Sequence, residues 1–364
     1  MANLEVKASA VNPIIAEDAE RLFDGLADVR ERFQGTTLLI AGAGGFLGSY
    51  LLDVLAVWNL HANFSCRVIA LDNFISGLPA RLEHLSRESW LSIQTRDLRE
   101  PFEPEEPPAW LIHLASIASP TYYRRFPLET IDVNVLGTRH LLEYARRRGC
   151  QGFLYLSSSE IYGDPVPEAI PTSETYRGSV SCVGPRACYD ESKRLAETLC
   201  WIYHRSYGVA VKVGRPFNVY GPGQRLDDRR FIPDLMAAAL AGRPLVLLSD
   251  GRATRSFCYA RDAASAMLRI LVSGEPGEAY NLGNDEREVT VLEAAKTLQA
   301  VAGNPAVRIE HDTSADPHYL TDNPQRRCPD LTKLRGLRGW HPEVPLEEGL
   351  SRTLRSYRAE ELPG

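Results

Sequence analysis

One stretch of sequence predicts the architecture of this chain: Thr37-Leu38-Leu39-Ile40-Ala41-Gly42-Ala43-Gly44-Gly45-Phe46-Leu47-Gly48. It begins with a short apolar run typical of a buried strand, and leucines at helical spacing follow it. The Gly-x-x-Gly-x-x-Gly spacing allows a tight turn, a close approach of the backbone to a pyrophosphate, and close helix packing, with the helix N-terminus facing the anion. A dinucleotide site is therefore expected at Gly42, Gly45, Phe46, Leu47 and Gly48.

The next apolar run, Arg67 to Leu71, ends at Asp72 and Asn73. An acid at this point accepts hydrogen bonds from the ribose hydroxyls of the adenosine and repels a 2′-phosphate, so NAD is favoured over NADP. Asp72 and Asn73 are thus predicted to contact the cofactor. Asp97, which follows the third run, is a candidate for the adenine edge, with a surface turn as the alternative.

The same alternation of short apolar runs and longer amphipathic segments continues along the chain. Runs of this length, rich in Leu, Ile and Val, indicate parallel strands that are covered on both faces. The predicted fold is α/β, a doubly wound parallel sheet of the Rossmann type with a smaller C-terminal substrate-binding region. The further strands are expected at Leu91 to Thr95, Trp110 to Leu114, Phe153 to Ser157 and Val209 to Val213.

We divide the chain into three parts. Residues 1–35 are an N-terminal helical extension, starting near Asn12-Pro13, whose apolar stripe predicts packing and no chemistry. Residues 36–217 form the NAD-binding domain, with a returning segment near 256–273. Residues 218–255 and 274–364 form the substrate-binding region, where proline and glycine become frequent.

Composition excludes several classes of protein. The net charge of -6 and the pI near 5.8 do not provide the basic face that a nucleic-acid binder needs. The seven cysteines show no Cys-x-x-Cys spacing, which argues against a zinc site or a disulfide framework and favours a reducing cytoplasm. No metal is expected. No apolar run has the length of a membrane span, so we expect a soluble protein.

Tyr189 and Lys193 carry the chemistry of this sequence. They are four positions apart, which places a phenol and an ammonium on one face of a helix. A cation at that position is expected to lower the pKa of the phenol, so that Tyr189 acts as a base near neutral pH. Together with the dinucleotide loop, the pair predicts oxidation and reduction of alcohols.

The chain resembles the extended short-chain dehydrogenase/reductase family and, within it, the UDP-glucuronate decarboxylases, also called UDP-xylose synthases. The resemblance runs from residue 36 to about 355. It is carried by His113-Leu114-Ala115-Ser116, by Ser157-Ser158-Ser159-Glu160-Ile161-Tyr162-Gly163-Asp164-Pro165, by Gly184-Pro185-Arg186-Ala187-Cys188-Tyr189-Asp190-Glu191-Ser192-Lys193-Arg194, by Arg215-Pro216-Phe217-Asn218, and by Arg326-Arg327-Cys328-Pro329-Asp330.

The resemblance implies roles for individual residues. Tyr189 removes the proton of the sugar 4-hydroxyl while NAD takes the hydride from C4, and Lys193 holds the nicotinamide ribose. Ser158 hydrogen-bonds the same sugar oxygen. Further contacts with the cofactor are implied for Leu114, Ala115, Ser116 and Asn134.

Glu160 and Arg327 favour decarboxylation within this family. The resemblance implies that Ser159-Glu160 is the decarboxylase form of a pair that differs in epimerases and in 4,6-dehydratases. Arg327 matches an arginine that approaches the substrate carboxylate, which suits the geometry of a guanidinium fork. Arg326 is its nearest rival.

Other matches concern the nucleotide sugar. Arg230 and Arg255 match residues that grip the diphosphate, and Tyr123, Ser159 and Asn218 match residues that contact the substrate. The chain departs from the common decarboxylase pattern at 223–225, 248–251 and Asp132. The nucleotide base and the exact sugar therefore stay open, as does the release of a 4-keto product before its reduction.

The expected function is NAD-dependent decarboxylation of UDP-glucuronate, or of a related nucleotide hexuronate, to the 4-keto-pentose or to the pentose (UDP-xylose). The alternatives are a hexuronate 4-epimerase, a 4,6-dehydratase and, from a different class, a redox-inactive NAD-binding sensor. Two segments, Leu128 to Arg148 and Cys188 to Tyr207, resemble the helices of the family's dimer bundle. A homodimer is therefore expected.

Overall fold

A seven-stranded parallel sheet forms the centre of the protein. The computed structural model describes residues 11–104, 106–314 and 324–361. Every pair of neighbouring strands in this sheet runs parallel. The strands are β1 Thr36–Ala41, β2 Cys66–Asp72, β3 Leu91–Thr95, β4 Trp110–His113, β5 Gly152–Leu156, β6 Val211–Pro216 and β11 Ala279–Leu282.

The sheet has the strand order β11-β6-β5-β4-β1-β2-β3, which confirms the predicted doubly wound fold. Leu38, Leu39 and Ile40 of β1 are fully buried, because helices cover both faces. Strand β1 lies between β2 and β4. The chain adds β2 and β3 on one side of β1 and then crosses over to add β4, β5 and β6 on the other side, so the strand order reverses at β1. Open α/β sheets bind their ligands at the carboxyl end of such a reversal.

Twelve α-helices are present in the described parts of the chain. A π-helical turn, Val133–Gly137, lies between two of them, and short 3-10 helices span Pro79–Leu85, Ser159–Tyr162 and Pro167–Ala169. None of the helices in these parts combines the length and the apolar composition that crossing a bilayer requires. The helices are α1 Pro13–Gly25, α2 Ala27–Arg30, α3 Phe46–Trp58, α4 Pro120–Arg125, α5 Pro127–Asp132, α6 Thr138–Arg148, α7 Ala187–Tyr207, α8 Phe231–Leu240, α9 Ala260–Ser273, α10 Val291–Ala302, α11 Thr332–Arg335 and α12 Leu346–Glu361.

The C-terminal part adds small sheets and a second apolar core to one end of the main sheet. Helix α9 lies in the predicted returning segment and packs into the main core. Strand β11 also joins the main sheet, although the sequence-based division assigns it to the substrate-binding region. That division stays a prediction, and its residues 1–10, 315–323 and 362–364 lie outside the described residues. The small strands are β7 Val219–Tyr220, β8 Leu245–Leu247, β9 Thr254–Ser256, β10 Cys258–Tyr259, β12 Glu288–Thr290, β13 Ile309–His311 and β14 Arg326–Arg327.

Helix α1 is the predicted N-terminal helix, capped by the Asn12 side chain, which accepts a hydrogen bond from the Ile14 N–H. Its Asp18 is fully buried and ties together three distant parts of the chain. The Asp18 carboxylate accepts hydrogen bonds from the hydroxyls of Tyr50 at 3.0 Å and Tyr259 at 2.7 Å, and from the Arg352 guanidinium at 2.8 Å. The extension is therefore part of the folded body.

Replacing Asp18 by alanine should strongly destabilise the protein. The change removes the buried carboxylate from the Asp18–Arg352 pair and leaves Arg352 with the half-exposed Glu17 at 3.1 Å. Breaking a buried ion pair costs about 3 kcal/mol or more. The free energy of unfolding in urea measures the loss. Glu20→Ala on the same helix is the control, because this exposed carboxylate pairs with the His61 ring at the surface and its loss should cost under about 1 kcal/mol. Equal losses in the two variants would contradict a structural role for Asp18.

Candidate active site

A cavity of about 780 Å³ lies at the carboxyl end of the main sheet, under the C-terminal part of the chain. A smaller cavity of about 60 Å³ adjoins it beside the ends of β2 and β3. The residues that line both cavities are Gly42, Gly45, Ser76, Leu114 and Ser116. Together the two cavities run from Asp72 to Tyr189, as an elongated cofactor would require.

The glycine loop has no room for side chains. Gly42 has a φ of 87°, and a Cβ there would lie 2.5 Å from the Ala115 backbone nitrogen. A Cβ at Gly48 would lie 2.2 Å from the Gly42 carbonyl oxygen. Helix α3 begins at Phe46 with no side-chain cap, so its first N–H groups suit an anion in the large cavity. Gly42, Gly45, Phe46, Leu47 and Gly48 all line this cavity.

Asp72 and Asn73 line the smaller cavity, as predicted for an adenosine site. The Asp72 carboxylate accepts hydrogen bonds from the N–H groups of Gly44 at 2.8 Å and Phe74 at 2.7 Å, and burial raises its pKa. It therefore joins the glycine loop to the end of β2.

Asp97 is not among the residues that line either cavity, although sequence reasoning offers it for the adenine edge. Its carboxylate forms a bidentate pair with Arg99, with an Nη2 to Oδ2 distance of 2.7 Å, and this hydrogen bonding lowers its pKa to about 2. Arg99 itself lines the smaller cavity, which we call the adenosine cavity. Asp97 thus orients Arg99, which sequence reasoning missed.

Leu114, Ala115 and Ser116 follow β4 and line the predicted cofactor site. The Ser116 hydroxyl is buried and finds no hydrogen-bond partner within the described chain, which leaves a donor for a ligand. Asn134 lies elsewhere: it is fully buried, lines neither cavity, and donates to the Ser192 hydroxyl on α7 at 2.9 Å. In this structure it supports the helix that carries Tyr189.

Tyr189, Lys193 and Ser158 meet in the large cavity, where the resemblance predicts them. Tyr189 and Lys193 lie on one face of α7, and the Lys193 amino group is 5.8 Å from the centre of the Tyr189 ring. Lys193 donates to the Leu156 carbonyl at 2.8 Å, which fixes it at the end of β5. Ser158 hydrogen-bonds the Tyr189 phenol.

The pKa of Tyr189 is not lowered by Lys193 as expected from the sequence, because both side chains are buried. The pKa of Tyr189 is raised to about 12 by burial, which outweighs the hydrogen bond of Ser158 and the charge of Arg230. Burial also lowers the pKa of Lys193 to about 7. A lysine with this pKa is only partly charged at neutral pH, so it does not lower the pKa of the phenol as the helical spacing alone predicts.

Glu160 is surrounded by guanidinium groups. Arg327 donates to both of its oxygens, one contact measuring 3.0 Å, and Arg186 donates to one of them. Burial alone would raise the pKa of Glu160, but the charges of Arg327 and Arg186 hold it well below its ordinary value. Glu160 is therefore ionised at neutral pH. Arg327 is buried, whereas its rival Arg326 is exposed and pairs with Glu288 at 2.8 Å.

Arg255 belongs to the same group of charges. Burial, and next the charge of Arg327, lower its pKa to about 10, which shows how close these cations lie. Sequence reasoning missed Arg186, although its position three residues before Tyr189 puts it at the start of the same helical face. It also missed Asp190, a buried carboxyl 3.6 Å from the Arg186 Nε atom, whose pKa is raised by burial.

The predicted substrate residues all line the large cavity. The Tyr123 ring stacks on Tyr189 at 5.3 Å between ring centres. Ser159 is buried beside Glu160, and Asn218 donates to the Ser256 carbonyl at 3.1 Å. Arg230 pairs with Asp228 at 3.0 Å, and its charge acts on the Tyr189 phenol.

Comparison with known proteins places this geometry among nucleotide-sugar enzymes. The model of the NAD dependent epimerase/dehydratase family matches residues 38–283. UDP-glucuronic acid decarboxylase 5 of Arabidopsis thaliana is 38% identical over 313 residues, which cover 86% of this chain and 86% of that protein. UDP-glucuronic acid decarboxylase 1 of Xenopus tropicalis is 38% identical over 323 residues, which cover 89% of this chain and 72% of that protein.

Solved structures agree with the fold. The UDP-glucose 4-epimerase of Thermotoga maritima, solved with UDP-glucose, has a TM-score of 0.75 at 26% identity and covers 89% of this chain and 99% of its own. A dTDP-glucose 4,6-dehydratase of Streptomyces venezuelae, solved with NAD, has a TM-score of 0.72 at 26% identity and covers 88% of this chain and 97% of its own.

The buried Lys193 should make stability depend on pH. Its pKa is about 7 in the folded protein against an ordinary 10.5, so the unfolded chain binds more protons between these values and stability rises with pH. In the wild type, this group adds up to about 1.4 kcal/mol per pH unit to the slope of the unfolding free energy against pH in this window. In Lys193→Met that part of the slope should be absent. The exposed Lys296 provides the control Lys296→Met, which should keep that slope. Identical slopes in both variants would contradict the shifted pKa.

Proposed function

The chain belongs to the NAD dependent epimerase/dehydratase family, and from this membership we propose that it decarboxylates a nucleotide-linked hexuronic acid, with UDP-glucuronate as the first candidate. The decarboxylases named above are its relatives at 38% identity over most of their length. The cofactor is NAD, for which the glycine loop, Asp72 and the unpartnered Ser116 hydroxyl provide a fitting site. The products are carbon dioxide and a nucleotide-linked pentose or its 4-ketone.

The charge balance around Glu160 carries this proposal. Three guanidinium groups, Arg186, Arg255 and Arg327, face one ionised carboxylate in the wall of the cavity, and Asp190 lies behind Arg186. The charges of Arg186 and Arg327 together exceed the single charge of Glu160, and burial raises the pKa of Asp190 to about 7, so this carboxyl is only partly charged at neutral pH. Placing a positive charge in a buried site is costly unless an anion completes it. The carboxylate of a hexuronate provides that anion, whereas a neutral hexose does not.

The chemistry begins at the sugar 4-hydroxyl. Tyr189 takes its proton, Ser158 hydrogen-bonds the same oxygen, and Lys193 holds the cofactor ribose beside them. Bound NAD supplies the hydride acceptor and afterwards the hydride donor. Burial raises the pKa of the Tyr189 phenol to about 12, so the hydrogen bond of Ser158 and the charge of Arg230, which lower this pKa, help it to act as a base.

Loss of carbon dioxide follows from the ketone at C4. With this ketone the carboxylate on C5 belongs to a β-keto acid, so the electrons of the broken C–C bond can rest as an enolate. Arg327 holds the carboxylate beside C5, and the remaining guanidinium groups stabilise the enolate once the carboxylate has left. Protonation at C5 and return of the hydride to C4 give the pentose, and the reaction is redox-neutral overall.

The scaffold alone does not choose among the reactions of this family, since a 4-epimerase and a 4,6-dehydratase share it. A hexuronate 4-epimerase would keep the carboxylate and invert C4. The concentration of positive charge at one corner of the cavity favours an enzyme that acts on the acid group. A redox-inactive sensor is disfavoured because Ser158, Tyr189 and Lys193 are assembled together.

Arg327→Met should lower kcat/KM for carbon dioxide release from UDP-glucuronate by at least about 30-fold. This loss corresponds to about 2 kcal/mol, the lower range for removing one partner of a buried charge pair. The measurement is release of labelled carbon dioxide from substrate labelled at C6, with NAD present. Arg326→Met is the matched control, because the neighbouring side chain is exposed and pairs away from the cavity.

Inversion at C4 without gas release would replace this proposal by the 4-epimerase. Release of no gas from any nucleotide hexuronate would remove it. Equal effects of Arg326→Met and Arg327→Met would remove the assignment of Arg327.

We also propose that the protein is cytoplasmic. All seven cysteines lie in the described parts of the chain, and none forms a disulfide. Free thiols persist in reducing compartments, whereas secreted proteins commonly pair them.

A homodimer is proposed from an apolar surface on α5, α7 and the π-helical turn. Leu128, Leu136, Leu195 and Trp201 are exposed on these neighbouring elements, with Leu128 at 70% and Trp201 at 57%. Large apolar patches on a soluble protein mark interaction sites. A second copy of the same face would cover the patch across a two-fold axis.

Leu195→Asp combined with Trp201→Glu should convert the dimer to a monomer, because the changes bury charge in the interface. Size-exclusion chromatography with light scattering reports the mass. Val166→Glu changes an exposed valine outside these helices and should leave the mass unchanged. A wild-type protein that runs as a monomer would contradict the proposal.

A further inference from the structure

A short segment of the chain, Gly223 to Arg230, lies between β7 and α8 and forms part of the wall of the large cavity. We call residues 223–230 the clasp. Six of its eight residues line the cavity, and its contacts reach parts of the chain more than one hundred positions away. The three sequence positions 223–225 are also among those that depart from the decarboxylase pattern.

Arg225 joins the two walls of the cofactor site. Its Nη1 atom donates to the Ser76 carbonyl at 3.1 Å, on the loop that follows β2. Its Nη2 atom donates to the Tyr122 hydroxyl at 2.9 Å, on the segment that follows β4. Asp227 accepts from the Nε atom at 2.8 Å and keeps the guanidinium in this orientation. One side chain therefore spans the gap between two loops.

The clasp is held at both sides of Arg225. The Gln224 carbonyl accepts a hydrogen bond from the Tyr357 hydroxyl on α12. The Ser119 hydroxyl donates to the Asp228 carbonyl at 2.8 Å. These contacts fix the backbone on either side, so the position of the guanidinium is determined by the fold.

A second arginine, Arg81 of the 3-10 helix Pro79–Leu85, links the clasp to helix α3. Arg81 lies against Gly223, where an added Cβ would be 2.6 Å from its Nη2 atom, and Gly223 has a φ of 81°. The same Arg81 atom donates to the buried Asp53 carboxylate of α3 at 3.3 Å. Asp53 also contacts the His84 ring at 2.6 Å. The clasp thus rests on the element that begins at the dinucleotide loop.

Arg225 lies where the cofactor must pass. The adenosine cavity and the large cavity meet at a small set of shared residues, and Ser76 is one of them. A dinucleotide that reaches from Asp72 to Tyr189 runs through this junction. Arg225 binds the Ser76 carbonyl at one side and the Tyr122 hydroxyl at the other, so its guanidinium bridges two loops beside this junction.

We propose that Arg225 is a cofactor-retaining residue: by closing the two walls of the dinucleotide site it keeps NAD bound through both hydride transfers. The retention itself rests only on the cofactor, whereas its effect on products rests on the proposed decarboxylation. In the first transfer C4 loses a hydride to the cofactor and its hydroxyl proton to Tyr189. In the second, the C4 ketone would regain a hydride from the retained cofactor, and its oxygen would regain the proton from Tyr189.

This retention decides which product leaves. If the reduced cofactor escapes between the two transfers, the C4 ketone has no hydride donor and the 4-keto-pentose is released. If Arg225 holds the cofactor in place, the ketone is reduced and the pentose is released. The clasp therefore determines the ratio of the two products, a quantity that the catalytic residues alone do not set.

The test compares three variants for retention of NAD without any substrate. Arg225→Met should release bound NAD at least about tenfold faster than the wild type, as expected for the loss of two hydrogen bonds from a charged group. Tyr122→Phe removes one hydroxyl with little risk to folding and should give a smaller increase. Arg308→Met is the matched control. Like Arg225 with Asp227, Arg308 pairs with a carboxylate two positions later in the chain, Glu310 at 2.7 Å. Unlike Arg225, it does not line either cavity.

NAD content of the purified protein and its dissociation rate after dilution are the measurements, with thermal unfolding as a check of folding. A folded Arg225→Met that releases NAD at the wild-type rate would overturn the inference. Where decarboxylation is observed, the share of 4-keto-pentose should also rise in Arg225→Met. Faster release of NAD in a protein that yields no carbon dioxide would support the clasp while refuting the proposed function.

Discussion

The repulsion among three buried guanidinium groups is the constraint around which this site is built. Arg186, Arg255 and Arg327 come from the start of a helix and from two strands of a small sheet, and Glu160 from the turn after β5. The Glu160 carboxylate, which pairs with Arg186 and Arg327, makes their approach favourable, because unpaired charges in a low-dielectric interior are costly. The ion pairs of Glu160 therefore attach the C-terminal part of the chain to the main sheet and also prepare the cavity for an acid.

Burial sets the protonation of the catalytic groups more than their neighbours do. Burial shifts both Tyr189 and Lys193 toward their neutral forms, whereas Glu160 stays ionised because Arg327 and Arg186 surround it. The charged groups of the site are thus arranged to bind two ligands together: a cofactor that carries a diphosphate and a sugar that carries an acid group. Preorganised charges of this kind act without further rearrangement at the moment of reaction.

Local sequence patterns were enough to predict the parallel sheet, the glycine loop and the catalytic helix, because each depends on residues close in the chain. The resemblance located Glu160 and Arg327, but it did not reveal that they bind each other, 167 positions apart. Asp97 and Asn134 turned out to face neighbouring side chains because their direction depends on tertiary packing. The contacts of Arg225 could not be read from the sequence, since they join loops that meet only in the folded protein.

The strand order also has a consequence for synthesis of the chain. Strand β6 pairs with β5 on one side and with β11 on the other, and β11 ends at Leu282. While the ribosome is still adding the intervening residues, the emerging polypeptide presents β6 as an open edge that invites pairing with other nascent chains. Completion of the sheet must wait until synthesis has passed Leu282, because the last strand of the sheet comes from this late part of the chain.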